Sequence, residues 1–161
     1  MKSITLGELH KRIGDYLYME DGDLLDLLLA TFISKKQTNC KLWLFLIGMS
    51  GAGKSELINL FDDERNETYF LNKVTANAFI TGYKSPTFNE DLVDRLRNRV
   101  ILIPEMASIL GQSKEARSQI LAQLRSLHDG KMGVESGVGK TKKYNNLNVT
   151  LIACSTPVID R

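Results

Sequence analysis

The apolar run Leu42-Trp43-Leu44-Phe45-Leu46-Ile47 stops at a glycine-rich stretch, Gly48-Met49-Ser50-Gly51-Ala52-Gly53-Lys54-Ser55. Glu56-Leu57-Ile58-Asn59-Leu60-Phe61 follows at once and reads as a helix. A continuous apolar run ended by glycine predicts a central parallel strand, covered on both faces. Strand, glycine loop and helix in immediate succession restrict the chain to an α/β architecture in which the loop joins the two.

The loop matches G-x-x-x-x-G-K-[ST] at every fixed position. Glycines let the backbone curl so that successive N–H groups face a phosphate. In this pattern Lys54 reaches the β- and γ-phosphates, and the Ser55 hydroxyl ligates Mg²⁺. A helix starting near Lys54 adds its positive end to the anion site. Gly48, Ser50, Gly51, Ala52, Gly53, Lys54, Ser55 and Glu56 are therefore the expected contacts to ATP, or to a close nucleoside triphosphate, with Ser55 on the metal.

The remaining segments supply a sheet and its covering helices. Asp21, Asp23 and Asp26 mark a helix start, and Lys35 and Lys36 its end, a polarity that suits the helix dipole. Its apolar residues, Leu24, Leu25, Leu27, Leu28, Leu29, Phe32 and Ile33, cover most of the circumference and predict deep packing. Thr68–Val74 is a weaker strand, Thr75–Ile80 one or two helical turns, and Gly82–Asn89 a loop, with Asn89 capping a short helix through Arg97. Val100–Ile103 and Val149–Cys154 read as buried strands. Between them Ser113 caps a helix to about His128, with Ala116, Ile120, Leu124 and Leu127 on one face and Gly130 as its stop. Alternating strands and helices indicate a mainly parallel sheet. Residues 1–38 are read as an N-terminal helical segment and 39–161 as the core.

A nucleotide-hydrolysing site of this kind needs an acid at the end of a neighbouring strand. Val100-Ile101-Leu102-Ile103-Pro104-Glu105 provides Glu105, which serves the metal, the attacking water or both. Val149–Cys154 runs into Ser155-Thr156-Pro157, and a hydroxyl there would hold the attacking water; Thr156 is favoured over Ser155.

Composition narrows the partners only slightly. A chain of 161 residues, 43% hydrophobic, suffices for one domain with a substantial core. Its net charge of +2 names no partner, so any basic surface is local. Cys40 and Cys154 have neither metal spacing nor a disulfide framework, and both suit a reducing cytoplasm; Cys154, in an apolar run, is expected to be buried. Leu24–Ile33, the longest mostly apolar run, is too short for a membrane span, and the N-terminus does not read as a signal peptide. A cytoplasmic protein without membrane contact is the expectation.

Residues 130–148 carry Lys131, Lys140, Lys142 and Lys143 around central glycines, with Tyr144 beside them. They read as a protruding basic hairpin that could grip single-stranded DNA through its phosphates. The alternative is a solvated loop. A different function class rests on Gly82-Tyr83-Lys84, where an exposed aromatic would engage polypeptide. A third is a regulatory switch with no threaded substrate.

In this order of elements the sequence resembles the additional-strand ATPases, including the AAA+ group, and more narrowly ATPases carried by phages and integrative elements. The resemblance runs through "LWLFLIGMSGAGKSELIN", "VILIPEMASIL", "ILAQLRSLHDG" and "LIACSTPVIDR". It implies a three-layer P-loop NTPase with a mainly parallel sheet and a β-hairpin insertion before the last strand. It implies that the strand preceding the glycine loop lies between two neighbours, with the Glu105 strand one removed from it. Thr156 would be the sensor residue. The insertion resembles the hairpin that ring helicases place in their central pore, and Tyr83 the pore aromatic of protein-remodelling rings. Homo-oligomeric rings are implied, with an arginine from one subunit completing the next site; Arg161 and Arg125 are the first candidates, Arg117 and Arg99 the others. Two departures stand out. Pro104 replaces the usual Asp, leaving Glu105 as the sole acid, and the stretch to Arg161 lacks the further strand and helical lid of a complete module.

Overall fold

The computed structural model describes residues 3–19, 22–37, 41–62, 67–75, 78–80, 91–135 and 141–157. It is an α/β fold with a parallel four-stranded sheet and a separate antiparallel pair. The apolar runs form the strands: β1 (Trp43–Ile47), β2 (Thr68–Phe70), β3 (Val100–Ile103) and, after the hairpin strands β4 (Lys131–Glu135) and β5 (Thr141–Asn145), β6 (Thr150–Ser155). The sheet order is β1-β6-β3-β2. Strands β3 and β6 are buried along their whole length, as unbroken apolar runs in a parallel sheet should be.

Helices α1 (Leu6–Gly14), α2 (Asp23–Ser34), α3 (Lys54–Asn59), α4 (Leu92–Leu96), α5 (Ala107–Leu110) and α6 (Lys114–His128) lie among these strands in sequence. Side-chain alternation along the sheet creates two cores. On one face Ile101, Ile103, Leu151 and Ala153 meet Val93 and Leu96 of α4, Ile109 of α5, and Ile120, Leu124 and Leu127 of α6. On the other, Leu46, Val100, Leu102, Ile152 and Cys154 meet Leu28 of α2, Leu57 and Ile58 of α3, and Phe61. Ser113 caps α6 by accepting from Ala116 N (3.3 Å), and Gly130 follows that helix with φ +77°.

The structure corrects several expectations. Strand β1 pairs with β6 alone, so it is an edge of the described sheet rather than a strand between two neighbours; Phe45 and Ile47 are 39% and 50% exposed. The Glu105-bearing strand is nevertheless one removed from β1, with β6 between them. Helix α2 buries Leu25 and Leu28 but leaves Leu27 and Ile33 about half exposed, because a helix lying on a sheet covers only one stripe. Leu29 and Ile33 instead line a groove with Ile4, Leu6 and Leu9. Strand β2 ends at Phe70, and Leu71 N adds one further bond to Leu102 O (2.8 Å) before the chain leaves the sheet. Ala78–Ile80 form bends, not helix, with Phe79 fully buried. Asp91, not Asn89, occupies the cap position of α4. Asn89 lies outside the described residues, as do Cys40, Gly82, Tyr83 and Lys84.

Among the described residues no helix is long and apolar enough to cross a membrane. Helix α1 carries a Thr5–Glu8 capping box, and His10 Nε2 lies 2.6 Å from Asp26 Oδ1, joining α1 to α2.

Candidate functional site

The glycine loop leaves the carboxyl end of β1. Gly48 N donates to Ser155 O (3.2 Å), which fastens the loop's first residue to the end of β6. Gly51 and Gly53 then adopt φ +81° and +73°, a region that side-chain-bearing residues enter only with strain. A turn closed by Ala52 N donating to Met49 O (3.3 Å) brings the chain into α3. The first N–H groups of any helix have no intrahelical acceptor, so the loop and the start of α3 present donors together. The Lys54 ammonium folds back and donates to Gly48 O (2.8 Å) and Met49 O (2.7 Å), so the lysine arches over the loop's entrance.

Residues distant in sequence meet this loop. A cleft of ≈ 270 Å³ is lined by Ser50, Gly51, Ala52, Gly53, Lys54, Ser55 and Glu56 from the loop and α3, and by Pro104, Glu105 and Thr156 from the ends of β3 and β6. Glu105 is exposed, and its position is fixed on both sides. Its Oε1 accepts from Ala107 N (3.0 Å), its carbonyl accepts from the Ser108 hydroxyl (2.8 Å), and Met106 N donates to Cys154 O (2.8 Å). Of the two hydroxyl candidates Thr156 lines the cleft; Ser155 is 1% exposed and its hydroxyl donates to Thr156 O (3.0 Å).

Cys154 lies beneath the cleft. Burial pushes its thiol up to about 11, with nearby Lys54 lowering it and Glu105 raising it to lesser degrees. It stays protonated at neutral pH and is no nucleophile.

Among the described residues no three His, Cys, Asp or Glu side chains gather in one place. The oxygen-bearing side chains that line the cleft are Ser50, Ser55, Glu56, Glu105 and Thr156, and Ser55 and Glu105 are the two the sequence reading places on a metal. A partial shell of this kind suits Mg²⁺, which keeps several waters and takes substrate phosphate oxygens, better than ions that need a full protein cage.

A second cavity, of ≈ 510 Å³, adjoins the first. Leu17, Tyr18, Met19 and Leu24 line it together with Ala52, Gly53 and Leu57. Sequence reading singles out none of the first four for the site, because their approach to the loop depends on how the chain runs between α1 and α2. No local pattern encodes that.

Within residues 130–148, Lys131–Glu135 and Thr141–Asn145 pair as antiparallel strands, with Lys131 opposite Asn145, Met132 opposite Tyr144 and Gly133 opposite Lys143, and the residues between them lie outside the described ones. Strand alternation divides the pair's lysines. Lys131 and Lys143 are exposed on the outer face, whereas Met132 is buried and Lys142 and Tyr144 turn inward. Lys142 Nζ lies 2.7 Å from Asp91 Oδ2, and the Tyr144 hydroxyl donates to the same oxygen and approaches Asp94 Oδ2 (3.4 Å). Burial, then Asp91, raises the Tyr144 pKa well above the usual phenol range. The second strand of the pair is thus tied to Asp91 at the start of α4. Sequence gives Asp91 no role, since its carboxylate faces the hairpin instead of capping its own helix.

Arg125 is exposed on α6, and Arg117 Nη1 donates to Leu110 O (3.0 Å). Lys140 and Arg161 lie outside the described residues. No protein-family model matches the chain, and no curated protein matches it.

Proposed function

We propose that this chain is a P-loop NTPase of the additional-strand type that binds ATP with Mg²⁺ and hydrolyses it. One observation carries the reading: residues 50–56 of the phosphate-loop motif, an acid and a threonine, following three different strand ends, line one cleft. Lys54 now bonds neutral carbonyls, and a triphosphate offers it charged acceptors, which form the stronger bonds. Ser55 and Glu105 would hold Mg²⁺, whose charge offsets that of the β- and γ-phosphates. Glu105 then orients or deprotonates the attacking water, and Thr156 holds that water by a hydrogen bond. With Pro104 beside it, Glu105 is the cleft's acid at this strand end.

The test is a titration of the chain with ATP in Mg²⁺-containing buffer, followed by an assay for released phosphate. Saturable binding that needs Mg²⁺, with slow phosphate release, is expected. Neither heat of binding nor phosphate would overturn the proposal.

A second reading, contact with single-stranded nucleic acid, is favoured by the two exposed lysines on the hairpin's outer face. Lys131→Ala with Lys143→Ala should weaken single-stranded DNA binding equally for all sequences. It should also flatten the salt dependence by roughly 0.7 of a log unit of slope per lost contact. Lys142→Ala should act differently: it removes the cation beside the buried Asp91 carboxylate, which keeps the Tyr144 hydroxyl, so its main readout is lowered stability. Equal weakening by Lys36→Ala with Lys114→Ala would reduce the hairpin's role to net charge, and ring assembly around a threaded strand would lose its support.

A further inference from the structure

We propose that the outer face of α2 pairs with the same face of a second copy of this chain, antiparallel, about a two-fold axis beside Ala30. The proposal stands independently of the nucleotide site. Helix α2 is anchored on one side, where Leu25, Leu28, Thr31 and Ser34 are buried and Leu28 belongs to the second core. The other side carries Asp23, Leu27, Ala30 and Ile33, and the turn after the helix adds Lys36 and Gln37; all six are exposed. Asp23, Leu27, Ala30, Ile33 and Gln37 follow one another at spacings of four, three, three and four residues. Alternating threes and fours keep side chains on one helix face, which is the pattern of a helix that meets another helix.

The order of spacings reads the same in both directions about Ala30, and that symmetry selects the partner. An antiparallel second copy centred on Ala30 brings Leu27 of each chain level with Ile33 of the other, and Asp23 level with Lys36 and Gln37. The charges agree with this direction. Acid stands at the start of α2 and Lys36 beyond its end, so antiparallel copies set opposite charges together at both ends. Parallel copies would set like against like. Ala30, the smallest of the five, stands at the crossing and lets the two helix axes approach to about 8 Å. Helix α1 widens the surface: Ile4 and Leu6, 42% and 54% exposed, lie beside Ile33 in the groove, and the His10–Asp26 pair holds α1 there. A two-fold contact uses one surface twice and closes at two copies, unlike the head-to-tail contact that builds a ring. With so few apolar residues per copy the interface is small, so its dissociation constant should be on the order of 100 μM.

The experiment is sedimentation of the nucleotide-free chain from about 10 μM to about 1 mM, with three variants. Wild type should pass from monomer to dimer across that range and go no further. Ala30→Arg sets two guanidinium groups against each other at the axis, and dimerisation should weaken at least about tenfold. Arginine is nearly as good a helix former as alanine and the position is exposed, so the melting temperature of the dilute monomer should hold. Asp23→Lys and Lys36→Asp should each weaken self-association, because like charges then meet at both ends. An equimolar mixture of these two variants, one of them fluorescently labelled, should form a mixed dimer at least about threefold tighter than either forms alone. A wild-type chain that stays monomeric to about 1 mM overturns the proposal. A dimer that survives Ala30→Arg overturns it as well, since the contact would then lie elsewhere, such as the exposed edge of β1. Failure of the mixture to exceed the separate variants overturns the antiparallel arrangement, and it does so even if Ala30→Arg fails to fold.

Discussion

Lys54→Ala is expected to remove detectable ATP binding while leaving the fold unchanged. The ammonium supplies the loop's mobile positive charge, and its two present partners are the carbonyls of Gly48 and Met49. Charge-assisted hydrogen bonds contribute roughly 1.5–3 kcal/mol each. Losing two of them to phosphate therefore weakens binding by at least about 100-fold. The free protein loses little, because Lys54 is only half-buried and the Met49 side of the loop is open to water. Calorimetric titration and a thermal melt check both halves. Unchanged ATP affinity would remove Lys54 from the site. A large drop in melting temperature would mean that the lysine is structural.

Glu105→Gln is expected to separate binding from chemistry. The amide keeps the side chain's shape, and its oxygen can still accept from Ala107 N, so the turn after β3 should persist. It loses the negative charge and the ability to take a proton. A positioned general base contributes about 10²–10⁴-fold, and turnover should fall within that range while ATP remains bound. If the carboxylate also serves the metal, the Mg²⁺ concentration for half-saturation will rise as well. Wild-type phosphate release in this variant would place the catalytic acid elsewhere.

Much of the sheet was legible because burial on both faces leaves an unmistakable pattern. Val100–Ile103 has no polar residue and Val149–Cys154 only Thr150, and the structure buries both runs completely. The capped, one-faced pattern of Lys114–His128 was equally readable, since Ser113 and Gly130 mark its ends by local chemistry. Strand β1 was misleading for the same reason that the others were clear. Its residues are as apolar as those of β3, but sequence does not say which apolar strand stands at an edge. Ala78–Ile80 were misread as helix because Phe79, with Ala78 and Ile80 beside it, is held by tertiary packing rather than by helical periodicity. At the candidate site the loop motif and Glu105 could be located by spacing alone. The apolar wall at Leu17, Met19 and Leu24 could not, and neither could the Asp91–Lys142 pair, because chain segments far apart in sequence create them. The first helix did leave a local mark, the Thr5-x-x-Glu8 box, which could have delimited it.

The strand β6 sits between β1 and β3 and is hydrogen-bonded at its end to the first residue of the glycine loop and to the residue after Glu105. It therefore acts as a ruler. The gap between glycine loop and Glu105 is set by two interstrand spacings, about 10 Å, rather than by the length of any loop. Backbone spacings hardly vary with side-chain substitution, so changes within β6 should alter stability long before they alter the gap. Insertions in the connections on either side could grow or shrink without changing that gap. The working dimension of the cleft belongs to the sheet itself, and the threonine that completes the cleft is the next residue on the ruler's own end.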